Sequence, residues 1–268
     1  MRGATTSEVF RCSLTGPTGD CDVVLRRYRW DPEMAPHEIW AMRKARSAGI
    51  LAPEPIAMRI ADDQRPSLTL ATLLPDAVVL QPNDLADWLK QLAVTLYAIH
   101  QIDGDDAPYD CFPFYGPDQP AVPDWSTRKD EWERAIAIAL GPVPDNPRHF
   151  LHRDFHPCNV LFAGDRVTGV VDWVNSCRGA AGVDIAHCRW NLALLYGMDA
   201  AHRFTDAYGE LAGRGWTYDP YYDLVELCEK LGSRPNVYPG WTAFGMPGLN
   251  DDLMLERTES MLDAALRR

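Results

Sequence analysis

In the first third of the chain, apolar and polar residues alternate over short runs, the period of half-buried strands. Residues 8–13 and 21–28 follow that period and flank the Pro- and Gly-containing segment 14–20, which predicts a hairpin. A helix follows through His37–Glu38–Ile39–Trp40–Ala41–Met42, and Ala52–Pro53–Glu54–Pro55 interrupts the chain before a further strand pair that ends with residues 67–74. Beyond Asn83 the period lengthens: Leu85, Trp88, Leu89, Leu92, Leu96 and Ile99 form one helical stripe with Asp84 at its start. Helices are predicted at 124–140, 183–196, 199–213, 220–231 and 250–266. The β-branched and aromatic runs 159–162 and 167–173, around Gly164 and Asp165, predict a second hairpin. The stretch 103–124 carries Tyr109, Phe112, Phe114 and Tyr115 among Pro and Gly, and is too long for a plain connection in a compact domain. The pattern is that of an α+β protein, β-rich first and mainly helical afterwards.

The second hairpin is framed by chemistry. His152 to Asn159 reads His-Arg-Asp-Phe-His-Pro-Cys-Asn, which reproduces the kinase catalytic-loop pattern H-R-D-x-x-x-x-N. Phosphoryl transfer needs a carboxylate to orient a hydroxyl and take its proton, a role suited to Asp154, and oxygen ligands for magnesium, which Asn159 can supply. Counted from the turn, Asn159 opens one strand and Asp172 closes the other, so both reach the same end of the ladder. Asp172 stands where kinases have the aspartate of Asp-Phe-Gly, although Trp173 and Val174 replace the other two residues.

Together with Gly182–Val183–Asp184–Ile185–Ala186, these residues give the chain from Val9 to Trp190 a pattern that resembles the aminoglycoside phosphotransferase family. The resemblance implies a two-lobed protein-kinase-like fold. Residues 1–75 would form the nucleotide-binding lobe, and residues 76–268 a helical lobe with the catalytic loop and acceptor site. It also implies ATP and magnesium in the cleft, with the phosphoryl group passing to a hydroxyl of a small molecule. No activation segment ending in Ala-Pro-Glu, the protein-kinase arrangement, follows Asp172. Arg26 falls at the phosphate-pairing lysine, with Arg27 on the opposite strand face as its alternative, and Glu38 is the partner that positions Arg26. Gly16 and Gly19 sit where a loop would cover the phosphates. That loop matches neither G-x-G-x-x-G nor G-x-x-x-x-G-K-[ST], so a plain turn is the other reading. Segment 72–76, beginning with Thr72, is the expected hinge against adenine.

Two competing classes remain open on the sequence. His152, Asp154 and His156 alternate along one segment and would be ligands in a metallohydrolase, with Asp184 and His187 recruited. Arg26 and the altered Asp-Phe-Gly site suit a catalytically idle binding protein.

Composition narrows the setting. The 268 residues carry a formal charge of −12, which disfavours nucleic acid and tilts towards an amine-bearing acceptor. Candidate carboxylates for it are Asp105, Asp106, Asp110 and Asp118 in the long loop. Others are Asp251, Asp252, Glu256 and Glu259, of which Asp252, Glu256 and Glu259 share a helical face. Seven cysteines without a C-x-x-C pair fit a reducing cytoplasm. No run of about eighteen apolar residues and no signal-peptide pattern is present, so no membrane association is expected. The sequence leaves the oligomeric state open.

Overall fold

The computed structural model describes residues 7–16, 19–28, 33–62, 65–115 and 120–267. Strands β1 (Ser7–Gly16) and β2 (Gly19–Tyr28) form a long antiparallel hairpin in which Gly16 pairs with Gly19. Both strands run further into the turn than the pattern predicts. Gly19, at φ +109°, bends the chain where a side chain would be strained. Helix α1 (Met34–Ser47) follows, then β3 (Pro55–Arg59) and β4 (Leu68–Thr72), giving an antiparallel sheet of order β1-β2-β4-β3. Ala35, Ile39, Ala41, Met42 and Ala45 of α1 are buried.

The chain leaves this sheet at β5 (Ala77–Val78), which pairs with β7 (Val160–Ala163) of the second part. Helix α2 (Leu85–His100) buries the stripe read from the sequence, with Leu89, Leu92, Leu96 and Ile99 sealed from solvent. Asp84 caps it, its carboxylate accepting the Ala86 and Asp87 amides. Helix α3 (Lys129–Ala139) starts five residues later than predicted.

Two strand pairs hold the segment between them. Strand β6 (Arg148–Leu151) leads into residues 152–159, β7 and β8 (Arg166–Val170) form the hairpin, and β9 (Cys177–Ala180) returns to pair with β6. The sequence pattern missed β6 and β9, which pair with each other across the whole intervening segment and so lack the hairpin turn that marks the equally short β7. Helix α4 (Gly182–Tyr196) is buried at every residue from Asp184 to Leu195, the environment of a central helix. Around it lie α5 (Met198–Ala212), α6 (Tyr221–Glu229), the short α7 (Pro239–Ala243) and α8 (Asp251–Leu266). Among the described residues, no helix is long and apolar enough to cross a membrane.

Candidate active site

The loop after β6 is built around a buried carboxylate. Asp184, at the start of α4, accepts the backbone amides of His152 at 2.8 Å and Arg153 at 2.7 Å. Those two bonds hold Arg153 in a left-handed conformation, φ +66°, that a non-glycine residue rarely adopts unaided. The Arg153 guanidinium is buried on Glu229 at 2.7 Å, over the Phe114 ring. His152 turns inward: its Nε2 bonds the Val171 carbonyl at 3.0 Å, and its ring packs on Trp173. Trp173, which replaces the expected Phe, is fully buried and donates its indole N–H to Val170.

This frame presents Asp154, Asn159 and Asp172 to one cleft of about 890 Å³ between the sheet and the helical part. The ladder continues past Val160↔Val170 through the Val171 amide to the Asn159 carbonyl, which sets Asn159 and Asp172 at the same end as expected. The Asn159 side-chain amide donates to the Asp154 carbonyl at 2.9 Å and to its carboxylate at 3.2 Å. Its Oδ1 is therefore left for a cation, and with the Asp172 carboxylate it makes the all-oxygen donor set that magnesium prefers.

Opposite, Arg26 of β2 bridges Glu38 at 2.9 Å and Asp172 at 2.7 Å. Burial works against the Arg26 charge, and the two carboxylates more than offset it. Burial likewise pushes the Glu38 carboxyl up. Arg26 and the hydroxyls of Tyr28 and Thr69 oppose that, and the contact geometry is that of an ion pair. Arg27 pairs with Glu8 nearer the surface, and of the two arginines Arg26 is the one that lines the cleft. Thr72 lines the cleft, but its amide is already committed to the Glu54 carbonyl. Gly16 and Gly19, at the hairpin tip, are not among the described residues that line it.

A second network, which the sequence did not assign, surrounds Asp154. His187 of α4 places Nε2 3.1 Å from the Asp154 carboxylate and Nδ1 3.0 Å from Glu226, and Lys230 also reaches Glu226 at 3.1 Å. Burial disfavours the imidazolium, but the two carboxylates outweigh it and raise His187 to about 9. His156 differs: burial lowers it to about 4, so it stays neutral beside Asp154. Burial alone would raise Asp154, yet the hydrogen bond and charge of His187 hold it well below the usual carboxylate range.

Asp154, His156 and His187 bring their ligand atoms within 4.8 Å of one another. The hydrolase set anticipated from His152, Asp154 and His156 does not assemble, because His152 faces Val171. Ligation there would require the metal to displace the His187 proton, since the ligand is the neutral imidazole.

The acidic residues expected at an acceptor site lie elsewhere. Asp105, Asp106 and Asp110 pair with Arg178, Lys44 and Arg148, and Asp252 pairs with Arg234. Asp251 accepts the Val237 amide, Glu259 accepts the Ser126 hydroxyl, and Glu256 is exposed. None of these lines the cleft, into which α8 instead turns Thr258. Asp118 lies outside the described residues.

A family model described as the phosphotransferase enzyme family matches residues 3–228. Curated relatives include a homoserine kinase of Parvibaculum lavamentivorans, 36% identical over 59 residues, covering 22% of this chain and 18% of that protein. One from Rhizobium meliloti is 32% identical over 92 residues, 29% of this chain and 28% of that protein. The matched segments thus span less than a third of those kinases. Among solved structures, an aminoglycoside phosphotransferase in ternary complex with AMP-PNP and hygromycin B superposes with a TM-score of 0.66 at 18% identity, covering 100% of this chain and 94% of that one. An amicoumacin kinase with AMP-PNP and Ca2+ gives 0.61 at 15% identity, covering 98% and 87%. The two-lobed kinase-like fold expected from the sequence is the one observed.

Proposed function

Because the chain belongs to the phosphotransferase enzyme family, a group of small-molecule kinases, we propose that it moves the γ-phosphoryl group of ATP to a hydroxyl of a small molecule bound in this cleft. The observation that carries the reading is the convergence of Asp154, Asn159 and Asp172 on one cleft wall, facing Arg26 and Glu38 across it. Asp154 orients the acceptor hydroxyl and takes its proton as the new O–P bond forms and the bond to the β-phosphate oxygen breaks, releasing ADP. Arg26 holds phosphate oxygens and Glu38 keeps it in place. Asn159 and Asp172 would hold magnesium, which neutralises charge on the phosphates when bound. The backbone of residues 74–76, beyond the committed Thr72 amide, meets adenine. Gly16 and Gly19 would cover the phosphates only by the hairpin tip bending towards the cleft. Residues 1–75 and 76–268 act as nucleotide lobe and helical lobe in this reading. The idle-protein alternative is disfavoured because the base and both metal-ligand positions are present and converge.

Magnesium-dependent ADP release, measured with a panel of hydroxyl acceptors, tests the proposal. Asp154→Ala is expected to lose at least about 100-fold in turnover while ATP affinity changes little. Near-normal turnover in that variant would remove Asp154 from the mechanism.

A further inference from the structure

Beside the oxygen donors Asn159 and Asp172, the cleft holds a second group of donors with different chemistry. Asp154, His156 and His187 all line it, and one ligand atom from each lies within 4.8 Å of the others. The two oxygens of the Asp154 carboxylate are divided between the groups. Oδ2 accepts from the Asn159 amide at 3.2 Å, whereas Oδ1 faces both imidazoles, 3.1 Å from His187 Nε2 and 3.9 Å from His156 Nε2. An ion pair with Asp154 needs only one imidazole, and here two are aimed at the same oxygen.

Ligands of one tetrahedral zinc ion lie about 3.3 Å from each other, because each sits about 2.0–2.1 Å from the metal. The first spacing already meets this, and a small rotation of His156 closes the second. His156 Nδ1 bonds nothing among the described residues, so the rotation breaks no bond there. The two rings stand at 82° to each other, which lets both Nε2 atoms approach Oδ1 without stacking. Support behind the ligands is also in place. His187 Nδ1 meets Glu226 at 3.0 Å, the carboxylate–histidine arrangement that fixes the ring of a metal ligand and leaves Nε2 for the ion. Lys230 in turn holds Glu226 at 3.1 Å.

We propose that Asp154 Oδ1, His156 Nε2 and His187 Nε2 form an inhibitory site for a borderline divalent metal, zinc above all, separate from the magnesium ligands Asn159 and Asp172. Two imidazoles and one carboxylate suit zinc and not magnesium, and leave a fourth position open to water. The ion takes the place of the proton between His187 and Asp154, which passes to solvent. With Oδ1 on the metal and Oδ2 held by Asn159, Asp154 has no oxygen with which to take the acceptor's proton. Turnover therefore stops while ATP still binds. That consequence rests on the phosphotransferase reading above; the site itself does not.

The test uses the full chain stripped of metal by a chelator. Zinc binding is followed by titration calorimetry, and cobalt(II), a coloured stand-in, by absorption. Cobalt should show the d–d bands of a low-coordinate nitrogen and oxygen site with no thiolate charge-transfer band, which separates the site from the seven cysteines. Glu226→Gln removes the support of His187 and should weaken zinc roughly 10- to 100-fold. His156→Asn, which removes a ligand, should weaken it at least as much, with melting temperatures showing that both variants are folded. Asp172→Ala should bind zinc as the parent does. At saturating magnesium, with free zinc set by a metal buffer, zinc should lower the turnover of the parent and leave its ATP KM unchanged. No binding by the parent, a thiolate band, unchanged affinity in both histidine-site variants, or zinc lost in Asp172→Ala overturns the site. Full turnover at saturating zinc overturns the block on Asp154. Absence of magnesium-dependent ADP release with every acceptor, beside intact zinc binding, strikes the phosphotransferase reading and with it the inhibitory role, while the site stands.

Discussion

As the proposed base, Asp154 is unusual in that its neighbours hold its carboxyl far below the ordinary range. A weakly basic carboxylate contributes by orienting the hydroxyl more than by driving proton abstraction, and His187 is the group that fixes it in that role. His187 is protonated at neutral pH and loses its charge near 9, so turnover should fall on an alkaline limb around that pH as Asp154 loses its ionic anchor. In His187→Gln that limb is expected to vanish, and a limb unchanged in position would dissociate it from His187. Stability follows the same titration. The folded-state value lies above the unfolded 6.5, so the contribution is complete below about pH 6.5 and is lost as pH rises through about 9. A shift of that size corresponds to on the order of 3 kcal/mol at most. Melting temperatures at pH 6 and pH 10 should therefore differ less in His187→Gln than in the parent. The sequence could place Asp154, Asn159 and Asp172 because their spacing is local. It named His187 only as a ligand recruited to the metallohydrolase alternative and not as the partner of Asp154, because its own partner Glu226 is 39 residues away and is brought alongside only by the packing of α4 on α6.

At the scale of elements, the contact between α4 and α6 is set by Gly182. A Cβ built there would come 2.1 Å from the Tyr222 ring, and Asp184, which holds the catalytic loop by two amides, lies two residues on. Gly182→Ala must push α6 or the start of α4 aside. A loss of about 1–3 kcal/mol is expected from the overpacking, with turnover reduced beyond what stability explains because the loop shifts with its anchor. Urea unfolding beside kinetics at a temperature where the variant is folded separates the two effects. Full turnover at normal stability would mean that the ring simply moves away. The same elements mark what the sequence disclosed. The α2 stripe and the Asp84 cap were legible because period and cap are local signals. The acidic spacing on α8 was legible too, but which way that face points depends on what the helix packs against. Asp252 and Glu256 face outward, while Met254, Thr258, Met261 and Leu262 pack inward. The five residues of α7, which supply Trp241, carry too little period to be read.

Taken as a whole, the sheet part and the helical part are joined by apolar packing of α1, whose Trp40 meets Phe150 and whose Ala35 packs with Val174, and at the cleft by an ion pair. Arg26 of the sheet reaches Asp172 of the helical part, so the proposed metal ligand is neutralised by an arginine in this arrangement. A magnesium nucleotide competes for that carboxylate and in exchange touches both parts. Its binding should therefore stabilise the two together rather than one alone. Linkage gives the size: ligand at 100 times its dissociation constant adds about 2.7 kcal/mol. For a chain of this length that is roughly 5–10 °C in melting temperature. Magnesium-ATP is thus expected to raise a single transition by that amount, and ATP with a chelator to raise it less. In Asp172→Ala the magnesium-dependent increment should disappear while any effect of nucleotide alone remains, because Arg26 keeps Glu38 as its partner and still meets phosphate. The measurement is a thermal melt of both proteins with nucleotide, with and without magnesium. An equal magnesium increment in parent and variant would place the metal on other ligands and leave Asp172 as the anchor of Arg26 alone.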